Sequence, residues 1–278
     1  MFNSKPCTPP FIGRRQLLLG ALLGAAAAPA VWAQGAVRQG PLRLVVPFTP
    51  GTGIDLVARQ IAAPLSERLK RPVIIGNKPG ASGNIGTLDV VRSPPDGHTL
   101  LVSVNTLVMN PPLYPKAGFN PLTDLAPVSI TSRGQLLLVA GASTKIETLN
   151  DLMARAKAKP GALNYGSPGA GKLQALAISS DKPNPLLPQV PPLGRLNLGD
   201  LNVDMWYGVL APAGTPQPEI DKLNAELRDI LALPAVASAF ETQGMTPEHS
   251  TPDAFRQVLA ADARRWADLI KAQGITAE

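Results

Sequence analysis

The sequence predicts an α/β protein with a helix-flanked sheet of parallel strands. Three observations carry this. A β-α-β-α-β run occupies residues 42–102, a Pro/Gly loop joins its first strand to its first helix, and two amphipathic helices close the chain. Strands that alternate with helical patterns build crossover units, and those units favour parallel pairing.

The first strand, Leu42 to Val46, is apolar and rich in β-branched residues, as a strand buried on both faces should be. Residues 54–69 show helical spacing. Leu56, Ile61, Leu65 and Leu69 face one way while Arg59, Glu67 and Arg68 face water, and Pro64 inside the pattern predicts a kink. A second strand spans 72–75. A short helix follows Ala81-Ser82-Gly83-Asn84 and ends near Ser93, Pro94-Pro95-Asp96-Gly97 forms a turn, and a third strand spans 99–102. Residues 106–127, with five prolines, are expected to be irregular. Strand-like runs follow at 128–131 and 136–140, then a helix at 148–159 capped by Thr148 or Asn150. Short strands are expected at 163–165 and 175–179, and the Pro/Gly-rich stretch 182–199 reads as a long loop. A strand at 204–210 crosses back, before helices at 218–231 and 251–273. The last helix begins Thr251-Pro252-Asp253, a cap followed by proline.

Residues 1–33 read as a targeting segment. Arg14-Arg15 precede an apolar run from Leu17 to Ala28, and Val31-Trp32-Ala33 suits cleavage before Gln34. The paired arginines suggest twin-arginine export, with general secretion as the alternative. The run is short for a membrane span, and Cys7 lies on the wrong side of it for a lipid anchor. Residues 1–33 hold Lys5, Arg14 and Arg15 and no acid, so their removal lowers the formal charge from +6 to about +3. A mildly basic surface suits small anions. Scattered basic residues, three Trp and three Tyr offer no stacking platform for nucleic acid. The mature chain keeps no cysteine, so it forms no disulfide.

The most informative stretch is Val45 to Arg59, where the first strand enters the Pro/Gly loop and the loop opens a helix. Backbone N–H groups without intrahelical partners, together with the helix dipole, make such a junction an anion cradle. Gly51 and Gly53 let the backbone come close to a ligand. An ordinary strand-to-helix turn is the plainer reading of this loop taken alone.

The loop resembles the first ligand loop of the Bug family, extracytoplasmic solute receptors associated with tripartite tricarboxylate transporters. Further similar stretches follow in order: residues 77–86 (NKPGASGNIG), 95–101 (PDGHTLL), 110–116 (NPPLYPK), 124–129 (DLAPVS), 164–167 (NYGS) and 207–215 (YGVLAPAGT). Thr49, Thr52 and Ile54 depart mildly from the family's first loop. A larger departure follows Gly169: a helix, a strand, a second helix and a loop, roughly fifty residues and more than one crossover unit, are expected there and missing.

The resemblance implies a two-domain, periplasmic-binding-protein-like (type II-like) α/β fold whose second domain is truncated. Domain one would be 41–136 plus 207–278, and domain two 137–206. It also implies an exported periplasmic receptor for a small organic acid, serving transporter membrane subunits or a sensor, acting as a monomer and needing no cofactor. In the family two similar loops, one per domain, hold the carboxylate. Here the first is Phe48, Gly51, Thr52, Gly53 and Asp55, with Asp55 expected to cap its helix or hold water beside the ligand. Ser103, Asn105 and Thr106 follow the third strand to the same sheet edge, and Asn77 is a weaker candidate there. The second loop retains Gly166 and Ser167. A non-binding deletion remnant is the alternative reading.

Other chemistry finds little support. The run 166–172 has the glycine–lysine spacing of a phosphate-binding loop, but Leu173 replaces the hydroxyl that would bind magnesium. His98 and His249 are far apart, which disfavours a zinc site, and no Gly-x-Ser-x-Gly elbow or acid pair suggests an enzyme.

Overall fold

The computed structural model describes residues 40–160, 162–163, 173–180, 182–196, 203 and 205–276. The targeting segment, the phosphate-loop-like run 166–172, Gly166, Ser167 and most of the strand expected at 163–165 lie outside them.

Among the described residues, β1 (Leu42–Val46), β2 (Val73–Asn77), β3 (Thr99–Val104), β4 (Leu125–Gly134), β7 (Met205–Pro212) and β8 (Thr246–Pro247) form one sheet in the order β2-β1-β3-β7-β4-β8. β1 runs parallel to β2 and β3, as predicted. β7 is antiparallel to both β3 and β4, and β8 is antiparallel to β4, so the sheet is mixed rather than parallel throughout. The reason is the return of the chain at 205–212, which enters between β3 and β4 and runs against both. Pro127 lies within β4 beside a register shift against β7. It is tolerated because β8 covers β4 only at Ser132 and Arg133, leaving that edge unpaired at the proline.

Helices cover both faces. Leu42, Leu44 and Val46 point to one core, with α1 (Gly53–Leu69), α5 (Gln217–Leu231) and α6 (Pro234–Thr242). Val45 and Leu101 point to the other, with α2 (Asn84–Val91), α3 (Thr106–Leu113) and α7 (Pro252–Gln273). Burial on both faces is why these strands read as continuous apolar runs. Trp206, fully buried, packs edge-on against Phe255 at 5.1 Å, and its Nε1–H donates to Asp262 at 2.8 Å.

α1 continues through Pro64 without interruption. α3 corrects the expectation of irregular chain after residue 106. It contains Pro111 and Pro112, yet the N–H groups of Val108 and Met109 bond to Asn105, and Tyr114 N–H closes on Asn110 at 2.7 Å. Burial of Leu107 and Val108 against the core outweighs two proline penalties in a helix this short. α6 and β8 had no clear sequence signal. A second, two-stranded sheet pairs β5 (Leu137–Gly141) with β6 (Leu173–Ile178), flanked by α4 (Leu149–Ala158). Thr148, rather than Asn150, caps α4, in a reciprocal capping box with Asp151.

Candidate functional site

Strand register brings the candidate residues to one edge. Val46 pairs with Asn77 and Val45 with Leu101, so the C-terminal ends of β1, β2 and β3 lie together. Val104 pairs with Tyr207, and Gly134 with Met205, which adds the start of β7 and the end of β4. Ligands of open α/β sheets bind outside this kind of edge.

The loop after β1 is rigidly fastened. Gly51 has φ +82°, in the left-handed region, where glycine avoids steric cost. Its N–H donates to Asp55 Oδ2 at 2.9 Å. Arg59 Nε donates to the same oxygen at 2.8 Å, and Asn77 Nδ2 donates to Oδ1 at 3.0 Å. The Asn77 amide also reaches the Phe48 carbonyl at 3.1 Å, and Thr52 Oγ1 donates to the Thr49 carbonyl at 2.8 Å. Asp55 is 1% exposed, and burial pushes its carboxyl up. The hydrogen bonds from Arg59, Gly51 and Asn77 outweigh that, so it lies below the usual carboxylate range.

Asp55 therefore does not cap its own helix, as one alternative had it. It is the third residue of α1, and its carboxylate reaches back to the loop instead. Thr52 is the N-cap and its side chain makes no cap bond. The first-turn N–H groups of Gly53, Ile54 and Asp55 have no preceding helical turn to bond to, and they open at the sheet edge. The contacting cation, Arg59, is already paired with Asp55, so neutral donors dominate the loop.

Ser103 and Asn105 are buried at the end of β3, and Thr106 is half-buried at the start of α3. Asn105 is the N-cap of α3 without a side-chain cap bond. None of these three side chains hydrogen-bonds to a described residue.

Four glycine contacts support the site, and the sequence did not point to them. A Cβ on Gly86 would stand 2.8 Å from Lys78 O and from Pro47 Cα, and one on Gly83 would stand 3.3 Å from Phe48 Cζ. The glycines of residues 83–86 thus seat the first loop against α2, and their spacing was the available signal. A Cβ on Gly53 would meet Tyr207 Oη and Met245 Cε, each at 3.1 Å, and one on Gly134 would meet Tyr207 Cε2 at 3.0 Å. Contacts across the sheet leave no local trace in sequence.

The histidines sit apart from this edge. His98 Nδ1 lies 3.2 Å from Arg71, and His249 Nε2 lies 3.2 Å from Asn224 Oδ1. Among the described residues no cluster of three potential metal ligands occurs, and no helix is long and apolar enough to cross a membrane. A cavity of about 500 Å³ lies elsewhere, between α4 and β6, lined by Glu147, Thr148, Gln174 and Gln189 among others.

A family model described as the tripartite tricarboxylate transporter family receptor matches residues 57–171 and 169–275. The two stretches overlap at residues 169–171, beside Gly169, after which a crossover is expected and missing. Protein BugT of Bordetella pertussis is 31% identical, over 84% of this chain and 89% of its own length. The solved structure of MatC from Rhodopseudomonas palustris with bound malate is 25% identical, with a TM-score of 0.76, covering 83% of this chain and 98% of that one. An R. palustris protein solved with adipate is likewise 25% identical, with a TM-score of 0.78, covering 85% and 98%. These likenesses agree with the α/β periplasmic-binding-protein-like fold.

Proposed function

This chain belongs to the tripartite tricarboxylate transporter family of receptors, and from that premise we propose that it is an exported receptor for one small organic carboxylate. The observation that carries the reading is the fastened loop 47–53, which presents the free first-turn N–H groups of α1 beside Ser103, Asn105 and Thr106. Neutral donors at a helix N-terminus hold a carboxylate without burying a bare counter-charge, which would cost several kcal/mol. Phe48, Gly51, Thr52 and Gly53 shape the cradle, and Asp55 and Asn77 hold it in place. The malate and adipate of the similar R. palustris structures favour a dicarboxylate of about this size.

In this reading residues 41–136 and 207–278 form domain one, residues 137–206 a shortened domain two, and Gly166 and Ser167 the opposing loop. The receptor acts as a monomer and presents its ligand to transporter membrane subunits or a sensor. Residues 1–33 direct export, with Arg14-Arg15 favouring the twin-arginine route.

A specific observation favours a second reading, a remnant that no longer binds. β5 leaves Leu137 at 43% exposure and Leu138 at 38%, and Met153 of α4, at 39%, lines the same hollow. Apolar surface of this kind is what a lost crossover would leave behind. Thermal melts of residues 34–278 with millimolar malate, adipate, citrate, glutamate and benzoate separate the two. A receptor with ligand at about 100 times its Kd gains roughly 2.7 kcal/mol, or about 5–10 °C at this size. Melts that none of these acids moves would sink the receptor reading in favour of the remnant.

A further inference from the structure

Tyr207 is the third residue of β7, at the sheet edge that carries α1's N-terminus, and its position is fixed from several sides. Its backbone is pinned by pairing to Val104 on one side and Ser132 on the other, and its carbonyl accepts from Thr131 Oγ1 at 3.1 Å. Its ring lies against Gly134, where a Cβ would stand 3.0 Å from Cε2. Its hydroxyl lies over Gly53, the first residue of α1, where a Cβ would stand 3.1 Å from Oη. Two glycines thus leave room for one tyrosine, and the hydroxyl ends at the free helix N-terminus.

That hydroxyl has no hydrogen-bond partner among the described residues, although Tyr207 is 7% exposed. Its oxygen is not sealed in the core: among the described residues the buried polar side-chain atoms left without a partner are Gln243 Oε1 and Trp266 Nε1, so the phenol is open to a ligand arriving from solvent. Burial pushes the phenol up from its usual value, so at neutral pH it is protonated and a donor. It lies beside Gly53, the first residue of α1, where Met245 Cε is the other neighbour of an added Cβ.

We propose that Tyr207 is a specificity-determining residue of the receptor site, donating its hydroxyl hydrogen to the carboxylate held at the N-terminus of α1. This rests on the receptor reading and extends it. The cradle after β1 becomes three-sided, with N–H donors from α1, polar side chains after β3 and a phenol from β7. The phenol closes the side next to Gly53, so a carboxylate must lie flat against that residue, and ligands branched next to the carboxylate are disfavoured.

The test compares the mature chain with Tyr207→Phe and Gly134→Ala. All three are labelled with ¹³C at tyrosine Cζ and titrated with malate, adipate, citrate, glutamate and benzoate. Only three tyrosines are present, so the resonance missing from Tyr207→Phe identifies Tyr207. The expected result has four parts. The Tyr207 resonance of the wild type moves saturably with the bound acid. Tyr207→Phe melts close to the wild-type temperature without ligand. It binds the acid at least about tenfold more weakly, the loss of a hydrogen bond to a charged group. Gly134→Ala, which displaces the ring, weakens binding in the same direction. Equal affinity of Tyr207→Phe and wild type overturns the assignment and leaves the receptor reading standing. A ligand-free melt lowered by Tyr207→Phe also overturns it, since the hydroxyl would then have a structural partner. If no acid binds the wild type, the receptor reading fails and this assignment fails with it.

Discussion

Replacing Asp55 with asparagine tests whether the candidate loop is held by a carboxylate in particular. Asp55 Oδ2 accepts from Gly51 N–H and Arg59 Nε, and Oδ1 accepts from Asn77 Nδ2. An amide of the same shape offers one acceptor oxygen and places an NH₂ at the other position. With the oxygen towards Gly51 and Arg59, two amide groups oppose each other at Asn77. With the oxygen towards Asn77, the NH₂ opposes two donors. Either way at least one buried hydrogen bond is lost and a donor is left facing a donor. Hydrogen bonds to charged groups contribute about 1.5–3 kcal/mol each. Arg59 is half exposed, at 52%, and turns to water when its partner changes, which moderates the loss. The expected cost is about 2–3 kcal/mol, or roughly 4–12 °C in melting temperature for a chain of this size.

The pH dependence supplies an independent check. The folded-state carboxyl of Asp55 lies below its ordinary value of 3.8. Its contribution is therefore complete above that value and is lost as pH falls through the lower, folded one. Urea unfolding of wild type and Asp55→Asn at pH 7 and at about pH 2.5 should show a gap at neutral pH that narrows in acid. A variant that melts within about 1 °C of wild type at pH 7, or a gap that persists in acid, would refute the loop-fastening argument.

Further outcomes follow from the same geometry. Gly53→Val sets a branched side chain against Tyr207 Oη and Met245 Cε and is expected to abolish acid-induced shifts in melting temperature while leaving most of the folded signal in circular dichroism. Gly86→Ala places a Cβ 2.8 Å from backbone atoms of Lys78 and Pro47, which overpacking precedents put at about 1–3 kcal/mol in urea unfolding. Thr148→Ala removes the capping box of α4 and should cost about 1 kcal/mol, read by the same method. Burial holds His249 below its usual value of 6.5, so folding favours its neutral form and stability should fall as pH drops below about 6.5; His249→Gln should flatten that slope.

Much of the fold was legible because its signals are local. β1, α1, β2, β3 and the two long C-terminal helices follow from apolar periodicity and turn residues, which act within a few positions of one another. Thr251 caps α7 as its Thr-Pro-Asp start suggested, accepting from Ala254 N–H at 3.2 Å. Where the reading failed, distant contacts had decided the outcome. Pro111 and Pro112 sit in a helix because Leu107 and Val108 are buried beneath it. β8 is a strand of two residues because β4 offers Ser132 and Arg133 as partners.

The candidate site divides along the same line. From the amino-acid order alone came the strand–loop–helix junction, the glycines that open it, the family resemblance and the polar residues after β3. Tertiary structure alone decided that β7 runs antiparallel through the middle of the sheet. That reversal brings Tyr207, some 150 residues along the chain, over Gly53. It also decided that Asp55 reaches back to the loop rather than capping its helix. The physical reason is that helix periodicity and turn chemistry are encoded by near neighbours. The partner of a buried hydroxyl or carboxylate is chosen by which strands pair and in what register, and that choice belongs to the packed chain as a whole.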